Sequence, residues 1–205
     1  MENKKFFDHF KELNYRIYTS LMVITIFFII TYFNYSTIYE ILINPLLKAG
    51  YSTTDLVAFT IYEGFQVKIL NTFFVSLTLA MPFIIFILGY FFKPALENTS
   101  HIIFLSYLLI FISLFYLGIF SAYKSIPVGI NFLLEFNESN FILRTQNYFQ
   151  LISRISILFG FSFQIPLVIF FLIKKNIIKR TLLTNNRKEI FLFVLIFSAV
   201  ITPTG

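Results

Sequence analysis

The chain has no cysteine and no tryptophan among its 205 residues, and it has only two histidines. Without cysteine it cannot form a disulfide, a thiolate nucleophile or a thiolate metal site. His9 and His101 both lie outside the long uncharged segments, so the paired intramembrane histidines that a haem-carrying helix bundle needs are absent. These absences exclude thiol chemistry and bundle-type haem ligation.

Charge is also scarce, because charged residues make up 13% of the chain and hydrophobic residues 58%. A soluble protein of 24 kDa has no use for so much apolar surface. Four segments reach about the 20 residues that a helix needs to cross the hydrocarbon core of a bilayer. A fifth is shorter and ends near Pro203. The predicted spans are about 17–35, 69–92, 102–123, 148–173 and, as the short one, 190–203.

The spans predict an all-α membrane protein, a polytopic bundle of four long helices and one short helix. No linker interrupts residues 1–205, so we expect a single transmembrane domain. Pro82 and Pro166 lie inside the second and fourth spans. Because a proline removes a backbone hydrogen bond and bends a helix, we expect kinks there and a concave wall.

Basic residues are divided unequally between the two sides of the predicted bundle. Of the 16 lysines and arginines, all but five lie before the first span, after the second, or between the fourth and fifth. Loops on the inner side of a membrane carry this excess, which places the N-terminus inside. We interpret the cluster within 174–188 as an anchor on anionic lipid, because it lacks the stacking aromatics of a nucleic-acid site. The outer side holds Lys48, Lys68, Lys124, Arg144 and Arg154.

The segment before the first span combines an apolar stripe with acidic residues. Residues 5–16 have helical periodicity and predict a helix lying in the headgroup layer. Asp8 and Glu12 are one turn apart on its other face. They are either solvated charges of an anchor helix, or carboxylates that bind guanidinium groups through paired hydrogen bonds. The stripe consists of Phe6, Phe10, Leu13 and Ile17.

This segment also resembles a known family. The string from His9 to Ile17, HFKELNYRI, is similar to the H-L-x-E-L-R-x-R-L signature of TatC, the multispanning receptor subunit of the twin-arginine protein translocase. Further matches follow in the family's order over nearly the whole chain, and the ordered set is specific where each motif alone is weak. They are Asn44-Pro45-Leu46, Glu63-Gly64-Phe65 with Lys68, Pro82, Phe91 to Leu96, Phe115-Tyr116 with Gly118, Tyr123, Pro127, Phe159 to Pro166, and Thr202-Pro203.

The resemblance implies a function in Sec-independent protein translocation across an energy-transducing membrane. Such a receptor binds the twin-Arg signal peptides of folded precursors and recruits small single-span subunits, driven by the proton gradient. It works as a homo- or hetero-oligomer in lipid and needs no cofactor, no metal, no nucleic acid and no catalytic residue. The implied signal-peptide residues are Glu12, Asp8, Glu97, His9, Leu13, Arg16, Phe91 and Pro94. The implied partner-subunit contacts are Gln164, Pro45, Thr202 and Pro203.

The sequence departs from the family pattern at three places. Asn14 replaces an arginine of the first motif, and Ser100 replaces a glutamate of the signal-peptide site, for which Glu97 is the nearest substitute. No sixth span follows Thr202-Pro203. The chain has 30 phenylalanines, a composition typical of an AT-rich genome. Together with these departures it indicates a diverged mitochondrially encoded member or a shortened chain. The mitochondrial inner membrane is the favoured location, and the bacterial cytoplasmic membrane is second.

Two residues inside the spans leave alternatives open. Gln164 is either a hydrogen-bond partner between helices or, as the resemblance implies, a contact for a single-span subunit. Arg154 is expected to reach the interface or to pair with Glu63 or Glu138.

A structural subunit of a mitochondrial respiratory complex is the alternative function. Proton-handling subunits need ionisable residues at bilayer depth, and the long spans have none beyond Arg154 and their first turns. There is also no inverted repeat typical of a transporter and no clustered nucleophile, base or metal set typical of an enzyme.

Overall fold

A computed structural model describes residues 2–93, 100–135, 142–175, 178–179, 187–189, 191–192 and 195–196, with the backbone alone at 2–9 and 92. Helices dominate this part of the chain, and two short strands form one parallel pair, with Leu56 opposite Leu143. In chain order the elements are α1 (Glu2–Phe33), α2 (Tyr35–Lys48), a 3-10 turn (Thr53–Asp55), β1 (Leu56–Val57), α3 (Glu63–Phe92), α4 (His101–Glu135), β2 (Leu143–Arg144), α5 (Thr145–Ser162) and α6 (Ile165–Lys174).

Four helical segments in the described residues are long and apolar enough to cross a membrane, which confirms the four long helices predicted from the sequence. The third is longer than the prediction of 102–123, because a charged residue such as Lys124 ends an uncharged segment without ending the helix. The predicted short span, 190–203, falls largely outside the described residues. The four segments are Phe10–Phe33, Glu63–Phe91, His101–Glu135 and Thr145–Lys174.

The first helix runs from Glu2 to Phe33 without interruption. It therefore joins the predicted headgroup helix of residues 5–16 and the predicted first span in one element. The sequence explains this continuity, since it has neither glycine nor proline between those ends and so lacks the residues that most often break a helix.

Two compact units divide the chain, Met1–Phe163 and Gln164–Gly205; a single domain with a concave wall stays a prediction. In the first unit α1 packs along α3, and α4 packs along α5. One apolar cluster of this unit joins α2, α3, α4 and α5 around residues such as Leu42, Ile126 and Phe149. A second joins α3 and α4 around Met81 and Phe104. In the second unit, α6 has Pro166 in its first turn, where a missing backbone N–H is tolerated.

Two tyrosines of α4 donate hydrogen bonds to carbonyls that prolines in α2 and α3 leave without a helical donor. A proline has no N–H, so the carbonyl four residues before it loses its helical partner. Pro82 leaves the carbonyl of Thr78, and the Tyr116 hydroxyl donates to that oxygen at 3.0 Å. By the same rule Pro45 leaves the carbonyl of Ile41, to which the Tyr123 hydroxyl donates at 2.7 Å. Each tyrosine thus supplies the donor that the proline lacks and ties α4 to α2 or α3.

Tyr148 of α5 makes a related contact with α2. Its hydroxyl donates to the carbonyl of Leu42 at 2.9 Å and accepts from the amide of Leu46 at 3.1 Å. These two backbone groups are four residues apart, so the hydroxyl bridges successive turns of α2 next to Pro45. The phenol is 3% exposed, and both of its hydrogen-bonding functions are therefore satisfied by protein.

Glycines allow α4 and α5 to approach closely. A Cβ atom added at Gly118 would lie 2.5 Å from the carbonyl oxygen of Phe159 and 2.9 Å from the Cα of Gly160. Small residues at such crossings are typical of helix pairs in membranes, where van der Waals contact drives association.

Glu63, at the start of α3, joins the segments that precede α3 and α5. Its carboxylate accepts from the amides of Phe59 at 3.0 Å and Gln146 at 2.9 Å, and from Arg144 Nε at 3.3 Å. The predicted pair between Glu63 and Arg154 is therefore wrong, and the other predicted partner of Arg154, Glu138, lies outside the described residues. Arg144 is the partner because β2 pairs with β1 and brings it to the start of α3, whereas Arg154 is exposed.

Candidate functional site

An open groove lies between the third to fifth turns of α1 and the last two turns of α3, at the end of the bundle that is predicted to face the inner side. Its volume is about 620 Å³. The two helices bring together residues more than 60 positions apart in the sequence, because they pack along each other and the first half of α1 lies beside the end of α3. The groove is lined by Glu12, Tyr15, Arg16, Thr19, Phe86, Ile87 and Tyr90.

An ion pair forms one wall of the groove. Arg16 Nη2 lies 2.6 Å from Glu12 Oε1, and Arg16 Nε donates to the same oxygen at 3.1 Å. The i, i+4 spacing on one helix makes this pairing possible. Arg16 Nη1 also donates to the carbonyl oxygen of Ile87 at 2.7 Å, so the guanidinium connects α1 to α3.

The two charged side chains differ in exposure. The Glu12 side chain is 44% exposed, whereas the Arg16 side chain is 22% exposed. The carboxylate therefore faces the open groove, and the guanidinium lies deeper against α3. A site of this kind can bind a cation that carries several N–H donors.

Aromatic rings form much of the rest of the groove. Tyr15 is 70% exposed and Tyr90 is 39% exposed, so both offer ring surface to a ligand. The Thr19 hydroxyl donates its hydrogen bond to the carbonyl of Tyr15 in its own helix, so this donor is already engaged within the helix. Exposed rings beside a carboxylate favour guanidinium ligands, which stack on aromatic faces while they donate hydrogen bonds.

A basic residue follows the groove at the end of α3. Lys93 Nζ lies 2.6 Å from His101 Nε2, a hydrogen bond that links α3 to the start of α4. The same Nζ lies 5.7 Å from the ring centre of Tyr90 and 5.8 Å from that of Phe104. Tyr90 therefore lines the groove and also lies near the ammonium group of Lys93.

The structure brings together part of the predicted signal-peptide set. Glu12 and Arg16 are in direct contact, and Leu13 and Phe91 are partly buried. Asp8 and His9 belong to the described backbone of α1 without described side chains. Pro94 and Glu97 lie outside the described residues.

Sequence reasoning missed several groove residues. Tyr15 stands inside the first motif beside Glu12, and an aromatic next to a predicted acidic site was an available signal. Ile87 contributes its main-chain oxygen, and a pattern of side chains cannot predict a main-chain acceptor. Tyr90 directly precedes the Phe91 of a family motif.

Of the predicted partner-subunit residues, the structure describes Pro45 and Gln164. Pro45 is among the fully buried side chains of α2, whereas its neighbours Ile41 and Leu47 are 56% and 49% exposed. Gln164 directly precedes α6. Thr202 and Pro203 lie outside the described residues. Within the described part of the chain, no three of His, Cys, Asp and Glu are grouped so as to hold a metal ion.

Comparison with known proteins relates nearly the whole chain to one family. The family model described as Sec-independent protein translocase protein (TatC) matches residues 8–205. A "Sec-independent protein translocase protein TatC" of Aquifex aeolicus is 27% identical over 201 residues, which are 96% of this chain and 83% of the relative. The protein of the same name in Listeria innocua is 30% identical, covering 95% of this chain and 79% of the relative.

A solved structure shows the same architecture. The crystal structure of the twin arginine translocase receptor TatC in DDM superposes with a TM-score of 0.82 at 27% identity, over 96% of this chain and 89% of that one. The similarity therefore extends from the first-motif residues through the helices described above.

Proposed function

The chain belongs to the TatC family of Sec-independent protein translocase proteins, and we propose that it is the receptor that binds twin-Arg signal peptides for a twin-arginine translocase. It is a multipass membrane protein of protein transport, related to named translocase components. The respiratory-complex alternative has no support from these relationships.

One observation carries the proposed binding site: the Glu12 carboxylate at the groove already accepts two N–H donors from a guanidinium. Carboxylates at a headgroup boundary are partly desolvated, so a ligand that leaves them unpaired is disfavoured. A lysine offers a point charge where arginine offers a planar set of donors. The site therefore favours arginine over lysine, which is the selectivity that a twin-Arg receptor requires.

The rest of the proposed site extends from the groove toward the end of α3. Asp8 and Glu97 would add acidic character, and Pro94 and Phe91 would border the peptide. We expect all of these residues at the end of the bundle that the excess of lysine and arginine assigns to the inner side. The precursor would then meet the site from the compartment in which it is made. This proposal includes an N-terminus on that side.

Small single-span subunits, lipid and further copies of the chain are the proposed partners. For the subunits we propose contacts at Gln164, Thr202 and Pro203, and at the exposed residues that flank the buried Pro45. The proton gradient drives the recruitment, and the chain itself catalyses no reaction. The phenylalanine-rich composition supports the mitochondrial inner membrane ahead of a bacterial cytoplasmic membrane.

The test measures binding of a fluorescent twin-Arg signal peptide to the purified chain in mild detergent by anisotropy. Glu12→Gln keeps the shape of the side chain but removes its charge. We expect the Kd to rise about tenfold or more, because hydrogen bonds to charged groups contribute about 1.5–3 kcal/mol. A Lys-Lys peptide is expected to bind wild type as weakly as the Arg-Arg peptide binds Glu12→Gln.

Glu40→Gln is the matched control, because Glu40 is an exposed carboxylate on α2 and the substitution removes the same charge. Equal affinities of Glu12→Gln and Glu40→Gln, or equal binding of the Lys-Lys and Arg-Arg peptides, would contradict the proposed site.

A further inference from the structure

The acceptors of the groove are already occupied by the chain's own arginine. The Arg16 guanidinium makes three hydrogen bonds, two to Glu12 Oε1 and one to the carbonyl oxygen of Ile87. A ligand arginine that enters the groove meets these same two oxygens, since both Glu12 and Ile87 line it. A guanidinium of the chain and a guanidinium of the ligand therefore require the same atoms.

We propose that Arg16 is an intramolecular placeholder, which a peptide guanidinium displaces from Glu12 Oε1 and the Ile87 carbonyl when it binds. The inference rests on the proposed function and concerns the regulation of that site. It assigns Arg16 a role opposite to that of a binding residue: Arg16 competes with the ligand and lowers the apparent affinity of the empty receptor.

The geometry allows the exchange without a change in the backbone. Arg16 is attached through a long flexible side chain, and such side chains move their charged heads into the headgroup layer while the stem stays on apolar surface. Glu12 is the more exposed partner, at 44%, so a ligand can approach the carboxylate before Arg16 has left. The exposed ring of Tyr15 lies beside the same path.

Competition of this kind sharpens selectivity. A ligand side chain gains access only if its contacts with Glu12 and Ile87 replace those that Arg16 gives up. Another guanidinium makes equivalent contacts, whereas an ammonium group cannot reproduce the planar donor set. Discrimination by an opposing interaction within the site is a common device of specific binding surfaces.

The size of the effect follows from the fraction of molecules in which Arg16 has left the acceptors. If about one molecule in ten is open, the apparent Kd is about ten times the intrinsic value. Removing the guanidinium of Arg16 therefore tightens binding by up to that factor, and it reduces the preference for arginine over lysine.

The experiment compares wild type with Arg16→Gln and Arg16→Lys, using the same purified chain, fluorescent Arg-Arg and Lys-Lys peptides, and anisotropy. We expect Arg16→Gln to lower the Kd of the Arg-Arg peptide roughly three- to tenfold, with a smaller decrease for Arg16→Lys. We also expect the ratio of the Lys-Lys to the Arg-Arg Kd to fall in both variants.

Lys11→Gln is the charge control, because Lys11 is an exposed cation on the same helix and does not line the groove. The Kd of the Arg-Arg peptide for this variant is expected to change less than about twofold, because the repulsion between exposed like charges is weak. If Arg16→Gln does not elute as a folded protein from a sizing column, Arg16→Lys provides the decisive comparison.

If the folded Arg16 variants bind the Arg-Arg peptide with an unchanged or higher Kd, the proposal that Arg16 is a placeholder is overturned. That result would leave the receptor function intact, because Glu12→Gln would still abolish the preference for arginine. Conversely, wild-type binding by Glu12→Gln would refute the proposed site itself.

Discussion

At the scale of single residues, the close approach of α5 explains why position 118 is a glycine, and the explanation can be tested by substitution. The carbonyl oxygen of Phe159 occupies the space where a Cβ would lie, at 2.5 Å. This neighbour is a backbone atom, so it cannot turn away as the end of a side chain can. Any side chain at 118 must separate α4 from α5.

We therefore expect Gly118→Ala to lower the free energy of unfolding by about 1–3 kcal/mol, as overpacking in a close-packed interior does. Thermal unfolding of the purified protein in detergent measures this loss. Gly129→Ala is the matched control, because it lies in the same helix and an added Cβ there meets nothing within 4 Å. A midpoint for Gly118→Ala equal to that of Gly129→Ala would refute the close-approach explanation.

The groove shows what can be derived from residue patterns and what cannot. Glu12 was predictable, because its spacing from Asp8 and the surrounding motif indicate an acidic site near the inner surface. The position of Arg16 against Ile87 was not, since it depends on a main-chain oxygen of a helix 71 residues away. Hydrophobic periodicity carries no information about such partners.

At the scale of helices, hydrogen bonds from tyrosines to carbonyls freed by prolines join α4 to α2 and α3. Pro82 removes a donor from α3, and Tyr116 supplies one from α4. The proline and the tyrosine are therefore energetically coupled, although they belong to different helices.

Tyr116→Phe is expected to lower the free energy of unfolding by about 1 kcal/mol, because it leaves the Thr78 carbonyl unsatisfied. In a Pro82→Ala background the same substitution is expected to have little effect, since the alanine amide can donate to that carbonyl. Thermal unfolding of both single variants and the double variant gives the coupling energy. Tyr18→Phe, at a 72% exposed position, is the control, and strictly additive effects would argue against the pairing.

The helices themselves were largely predictable, because long uncharged segments permit little else in a membrane. The ends of the helices were less predictable. Helix α4 continues past Lys124 to Glu135, because the long side chain of a lysine can reach the interface without ending the helix. The tyrosines that donate to the freed carbonyls were not foreseen, since they lie 38 and 82 residues from those carbonyls in the sequence.

At the scale of the whole molecule, orientation in the membrane is the property on which the proposed site most depends. The groove serves a receptor for precursors only if its end of α1 faces the compartment where they are made. Since the sequence contains no cysteine, a single introduced cysteine reports its own side of the membrane without any background.

We expect Ser100→Cys to react with a membrane-impermeant maleimide only after the inner side is opened, because position 100 precedes α4 on the side assigned to the N-terminus. Thr53→Cys, in the exposed turn before β1, is expected to react from the outer side in intact vesicles or cells. Mass shift after labelling measures both. The reverse pattern would place Glu12 on the wrong side and end the receptor proposal.

The hydrogen bonds from Tyr116 to the carbonyl of Thr78 and from Tyr123 to the carbonyl of Ile41 predict how the sequences of this family diverge. A descendant that exchanged Pro82 for another residue would regain the amide, and selection on the phenol at 116 would relax. A descendant that lost the phenol first would carry an unsatisfied carbonyl until the proline was replaced. We therefore expect the two positions to covary among aligned family members, and the positions of Pro45 and Tyr123 to do the same.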